Sequence, residues 1–139
     1  MGETHLRNLV GISGVRVVSV ADPNGEAAER GKVLANAEVA FTDIEKAIAH
    51  AGVDAVVIVT PTETHARLIE IAVQAGKAVF TEKPIALDLA ETSRVVRLTQ
   101  EKGASVQIGF MRRFDPGYSK AKAKITAGEL GELETFRAL

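Results

Sequence analysis

Thr81-Glu82-Lys83-Pro84 follows the apolar run Ala78-Val79-Phe80 and precedes a new helical pattern. Pro84 fixes its own φ and pushes Lys83 toward extended geometry, so the lysine is held rather than left swinging. In an open α/β sheet, ligands bind in the crevice at the carboxyl ends of the strands. An ammonium placed there can hold or move a proton on a substrate oxygen. The alternative is a solvated lysine beside a turn-forming proline, and the tetrapeptide alone does not separate the two.

Three other stretches carry chemistry. Asp22 ends the β-branched run Val15–Ala21, where a carboxylate can accept hydrogen bonds from ribose hydroxyls and repel an added phosphate. Asp22-Pro23-Asn24-Gly25 is also a very good turn sequence, and the two readings are compatible. Thr60-Pro61-Thr62-Glu63-Thr64-His65 joins the most apolar run to a helix. Thr62 can cap that helix, whose N-terminus favours polar or anionic ligand groups. The plainer alternative is an ordinary strand–helix junction with His65 as a first-turn surface residue. In Gly109-Phe110-Met111-Arg112-Arg113-Phe114-Asp115-Pro116, two arginines between aromatics can grip hydroxyls or phosphates with planar forks. Otherwise Phe110 and Phe114 are core, and the arginines pair with local acids such as Asp115. The histidines share no metal-ligand spacing and no serine sits in a nucleophile-elbow context, so no metal and no acyl-transfer chemistry is expected.

The elements that must place these residues alternate strand and helix from end to end. Leu6, Leu9 and Val10 sit at helical spacing before Gly11. Strands are expected at Val15–Ala21, Glu38–Phe41, Ala55–Thr60, Ala78–Thr81 and Ser105–Gly109, and an alternating one from Leu133 to Leu139. The Ala55–Thr60 run suits a strand buried on both faces of a parallel sheet. Helices are expected at Glu26–Leu34, from Thr42 or Asp43 to Ala51, from Thr62 toward Gly76, from Asp88 to Lys102, and around Ala121 and Ile125 up to Gly128. Such alternation means βαβ units. The 139 residues are 46% hydrophobic and 25% charged, which fits one domain with a real core. A net charge of −1 with no basic block argues against nucleic acid. Cysteine is absent, and no apolar run approaches membrane-spanning length. Met1–His5 does not read as a signal peptide, so a cytoplasmic protein is expected.

Taken together, Met1-Gly2-x-x-His5, Val20-Ala21-Asp22, Thr60-Pro61-Thr62-x-x-His65, Glu82-Lys83-Pro84 and Gly109–Asp115 resemble the N-terminal dinucleotide-binding half of the Gfo/Idh/MocA oxidoreductases, and most closely the inositol 2-dehydrogenase group. The resemblance implies an α/β fold with a Rossmann-like doubly wound parallel sheet and hydride transfer from a ring hydroxyl of a polyol or sugar to NAD. It places Gly2, Asp22, Thr60, Pro61, Thr62, His65 and Glu82 at the cofactor, with Asp22 favouring NAD over NADP and Glu82 near the nicotinamide ribose. Lys83 is the implied catalytic residue, bonded to the reacting hydroxyl, and Arg113 is the implied second substrate contact. It also implies a homo-oligomeric parent protein.

The departures from the family pattern set further expectations. A Gly-x-Gly-x-x-Gly loop must follow a strand and open a helix, but here only Gly2 stands where its third glycine is expected. The central first strand is therefore expected to be missing from the sheet. No Asp follows Asp115 and no His follows His65, although the family carries such a pair in its next domain. Residues 1–128 read as the dinucleotide-binding domain and 129–139 as the start of a substrate domain. Met1 reads as an internal methionine or the edge of a gene fragment, and the isolated chain as inactive. The rival readings are an NADP-dependent dehydrogenase of another sugar or sugar nucleotide, and a non-catalytic module completed by a partner subunit.

Overall fold

The computed structural model describes every residue except Phe136, Ala138 and Leu139. It divides into two units, Met1–Ile108 and Gly109–Leu139. The first unit alternates helix and strand: α1 (Gly2–Val10), β1 (Ser19–Ala21), α2 (Gly25–Ala35), β2 (Val39–Phe41), α3 (Ile44–Ala49), β3 (Ala55–Ile58), a 3-10 turn (Thr62–Thr64), α4 (His65–Gln74), β4 (Ala78–Glu82), α5 (Leu89–Lys102) and β5 (Val106–Gly109).

The strands form two sheets, β1-β2 and β3-β4-β5. The β1–β2 and β3–β4 pairs are parallel, with Val20 opposite Ala40 and Val57 opposite Phe80. No strand pairs β1 with β3 among the described residues. That break falls where a 3-2-1-4-5-6 order puts its first strand. α1 packs on α2, where its Leu6 lies beside Gly31, and its His5 reaches Phe80 and Glu82 of β4.

Local chemistry fixes the helix ends. The side chain of Asn24 accepts the Ala27 N–H at 3.1 Å to start α2, and Asp43 takes the Glu45 and Lys46 N–H groups to start α3. Asp88 accepts the Glu91 N–H at 2.8 Å, and Gly103 closes α5 with φ +58°. The core joins Leu68, Ile69, Ala72 and Val73 of α4 to Ile58, Val79 and Val95.

Several expected elements are shortened. Val15–Val18 is not strand, because β1 pairs only with the three residues of β2 and a strand extends only as far as its partner. β3 ends at Ile58 and only that residue is fully buried, since its second edge has no paired strand among the described residues. Thr62 makes no side-chain cap, and the segment starts as a 3-10 turn before α4 begins at His65.

In the second unit, Met111–Phe114 is a 3-10 turn, followed by α6 (Pro116–Thr126). Asp115 caps α6 through the Gly117 and Tyr118 N–H groups. Leu133–Thr135 is not strand, and the rest of the strand expected there runs into residues outside the described ones.

Candidate functional site: the carboxyl ends of β3 and β4

Lys83 follows β4 directly and is exposed. The Lys83–Pro84 peptide is cis. On one side of Lys83, the Glu82 carboxylate meets His5 Nε2 at 2.9 Å, and the His5 ring tilts against Phe80 at 5.7 Å between centroids. On the other side, the Pro84 carbonyl oxygen lies 2.7 Å from His65 Nδ1.

His65 is 2% exposed, not a surface residue of the first turn. Its Nε2 lies 2.9 Å from the Thr60 carbonyl oxygen. Both partners are carbonyls, which only accept. A neutral ring therefore donates to one of them and a protonated ring to both. The Thr60–Thr64 turn is tied internally as well. Thr64 Oγ1 donates to the Pro61 carbonyl at 2.8 Å, so its lone pair takes the Thr60 hydroxyl at 2.6 Å. The structure thus brings Thr60, Pro61, His65, Glu82 and Lys83 together around one pair of adjacent strands. Gly2 opens α1, and a Cβ placed on it would lie 3.8 Å from Val59, one residue before Thr60.

Asp22 stands at the carboxyl end of β1, in the other sheet. Its Oδ1 accepts the Asn24 N–H at 2.8 Å, and its own N–H donates to the Phe41 carbonyl at 3.1 Å. One of its two carboxylate oxygens is thus committed to the turn. Arg113 lies in the second unit, exposed, in the Met111–Phe114 turn. There Arg112 pairs with Asp115 at 3.6 Å and covers the Tyr118 ring at 5.5 Å, while Phe110 and Phe114 are exposed rather than core.

His5 is the site residue that had no role assigned from its type. The available signal was position: it lies three residues after Gly2, on the face of α1 that also carries Leu6 and Leu9. The donor set fits a nicotinamide dinucleotide, with a half-buried carboxylate for a diol and hydroxyl and backbone groups at a strand–helix junction. Among the described residues, no cluster of metal-binding side chains occurs, and no helix is long and apolar enough to cross a membrane.

Parallel strands joined through helices, with polar residues gathered at the strands' carboxyl ends, define a Rossmann-like nucleotide-binding protein. The chain belongs to the Gfo/Idh/MocA family, described as an oxidoreductase family with an NAD-binding Rossmann fold, which matches residues 1–110. It is 41% identical over 133 residues to the scyllo-inositol 2-dehydrogenase (NAD(+)) of Bacillus subtilis, covering 95% of this chain and 39% of that protein. It is 40% identical over 134 residues to an inositol 2-dehydrogenase of Rhizobium meliloti, covering 96% of this chain and 40% of that one. Among solved structures, it superposes on the scyllo-inositol dehydrogenase of Lactobacillus casei with bound NAD(H) and scyllo-inositol. There the TM-score is 0.89 and the identity 33%, over 94% of this chain and 39% of the other. The chain thus spans about two-fifths of the length of these relatives.

Proposed function

We propose that this chain supplies the NAD-binding part of a dehydrogenase that oxidises a secondary ring hydroxyl of an inositol-like polyol to a ketone. The observation that carries the reading is Lys83. It leaves the carboxyl end of β4 between two anchored neighbours, in a chain that matches inositol dehydrogenases over nearly its whole length. In this reading Asp22 accepts from the adenosine ribose, and Gly2, Thr60, Pro61, Thr62, His65 and Glu82 form the walls beside the cofactor. Lys83 bonds the reacting hydroxyl and helps carry its proton, and Arg113 contacts the polyol. Bound NAD supplies the hydride acceptor. The complete enzyme is taken as a cytoplasmic homo-oligomer.

The test is reduction of NAD by myo- and scyllo-inositol in the complete enzyme. Lys83→Met should lower kcat by roughly 100-fold or more, the scale of a general acid–base group. An unchanged kcat would remove Lys83 from the chemistry. The 139 residues alone carry no Gly-x-Gly-x-x-Gly for the pyrophosphate. They should show neither turnover nor micromolar NAD binding by calorimetry, and micromolar binding would show that this loop is dispensable.

A further inference from the structure

Lysine has a long, rotamer-rich side chain, and here it is exposed. Its aim therefore depends on how firmly its backbone is held. Two histidines from distant parts of the chain do the holding. His5 of α1 grips the side chain of the residue before Lys83 at 2.9 Å, across 77 positions of sequence. His65 at the start of α4 grips the carbonyl of the residue after it at 2.7 Å. The other nitrogen of His65 meets the Thr60 carbonyl, just past β3, the strand that pairs with β4. The Glu82-Lys83-Pro84 segment is thus tied on one side to α1 and on the other to the β3–α4 junction.

Glu82 is the carboxylate His5 meets, and its side chain is only 14% exposed. For His65, the two carbonyl oxygens are the polar partners on its ring among the described residues.

We propose that His5 and His65 are positioning residues that bracket Lys83, holding its backbone so that the ammonium meets the reacting hydroxyl. The catalytic half of this statement rests on the dehydrogenase reading above. The mechanical half does not. Misplacing a reacting group by about 1 Å can cost roughly 100-fold in rate, so a loosened bracket should appear in kcat.

The test uses variants that keep or lose one contact each. In His65→Asn the amide nitrogen stands near Nδ1 and keeps the Pro84 bond, whereas in His65→Gln it stands near Nε2 and loses it. In His5→Gln the amide stands near Nε2 and keeps the Glu82 bond, whereas His5→Asn is too short. In the complete enzyme, His65→Gln and His5→Asn should lose roughly 10- to 100-fold in kcat at saturating NAD. His65→Asn and His5→Gln should recover most of it. In the 139-residue chain, the backbone order parameter of the Lys83 amide should fall in the first pair and hold in the second.

A loss that is equal in both members of each pair, and that follows their melting temperatures, would overturn the bracket in favour of a general packing role. Wild-type kcat in all four variants, with Lys83→Met inactive, would also overturn it. If Lys83→Met is itself fully active, the dehydrogenase role of Lys83 fails. The order parameters then decide the bracket, and no difference between the pairs sinks it.

Discussion

Replacing Asp22 tests whether the turn at the end of β1 doubles as a ribose site. One carboxylate oxygen is committed, accepting the Asn24 N–H at 2.8 Å. The other is the atom that would take an adenosine ribose hydroxyl. Hydrogen bonds to a charged group contribute about 1.5–3 kcal/mol. At about 1.4 kcal/mol per factor of ten, Asp22→Ala should weaken NAD binding by about 10- to 150-fold. Asp22 is half-buried, so solvent screening favours the lower part of that range. Alanine also removes the acceptor for Asn24, which would disturb the turn whether or not a ribose binds there. Asp22→Asn separates the two effects, because its amide oxygen can keep the Asn24 bond while the negative charge is gone. The asparagine variant should therefore keep its melting temperature, lose part of the NAD affinity, and gain affinity for NADP, whose extra phosphate is no longer repelled. Calorimetry of both cofactors on the complete enzyme reads this. Unchanged NAD and NADP affinities in Asp22→Asn would refute the ribose role. So would an alanine variant that weakens both cofactors equally and only in step with its loss of stability.

Three further outcomes concern the fold that holds the site. Leu68 of α4 is 2% exposed inside the main cluster, so Leu68→Ala should cost about 2–5 kcal/mol in urea unfolding, a large share of a domain's usual margin. A Cβ on Gly31 would come within 2.8 Å of Val20 Cγ1 and 3.3 Å of Leu6 Cδ1, so Gly31→Val should cost about 1–3 kcal/mol by forcing α2 away from β1. Gly31→Ala should cost less, because alanine returns about 1 kcal/mol of helix propensity. The backbone N–H of Lys46, helped by its ammonium and by the Glu45 N–H, holds the Asp43 carboxyl below its ordinary range. A depressed carboxyl stabilises the fold above its unfolded pKa and loses that contribution as pH falls through the folded value. Asp43→Asn keeps a cap acceptor without the charge, so wild type should be the more stable near neutrality and the gap should close below about pH 4. A gap that persists in acid would exclude the charge as its source.

What the sequence makes legible here is what local chemistry decides. Asp88 and Gly103 bound α5 in the sequence and in the structure alike, because a cap and a left-handed stop act within a few residues of themselves. Strand lengths are a different matter. Val15–Ala21 has the composition of a seven-residue strand, yet only Ser19–Ala21 pairs, because pairing is a property of β2 and not of β1's own residues. The same logic explains the exposure of part of β3, whose apolar residues suit two covered faces while only one of its edges carries a partner. Residue type also misleads where a polar side chain is satisfied at long range. His65 carries the spacing of a first-turn surface histidine, and nothing within five residues of it except the Thr60 carbonyl hints that it is buried. Its second partner is nineteen residues away. His5 is seventy-seven residues from the carboxylate it meets, and that contact depends on how α1 packs beside β4. Lys83 at the end of its strand is therefore readable from a proline and a strand end. The two histidine contacts to its neighbours become visible only once the chain is folded.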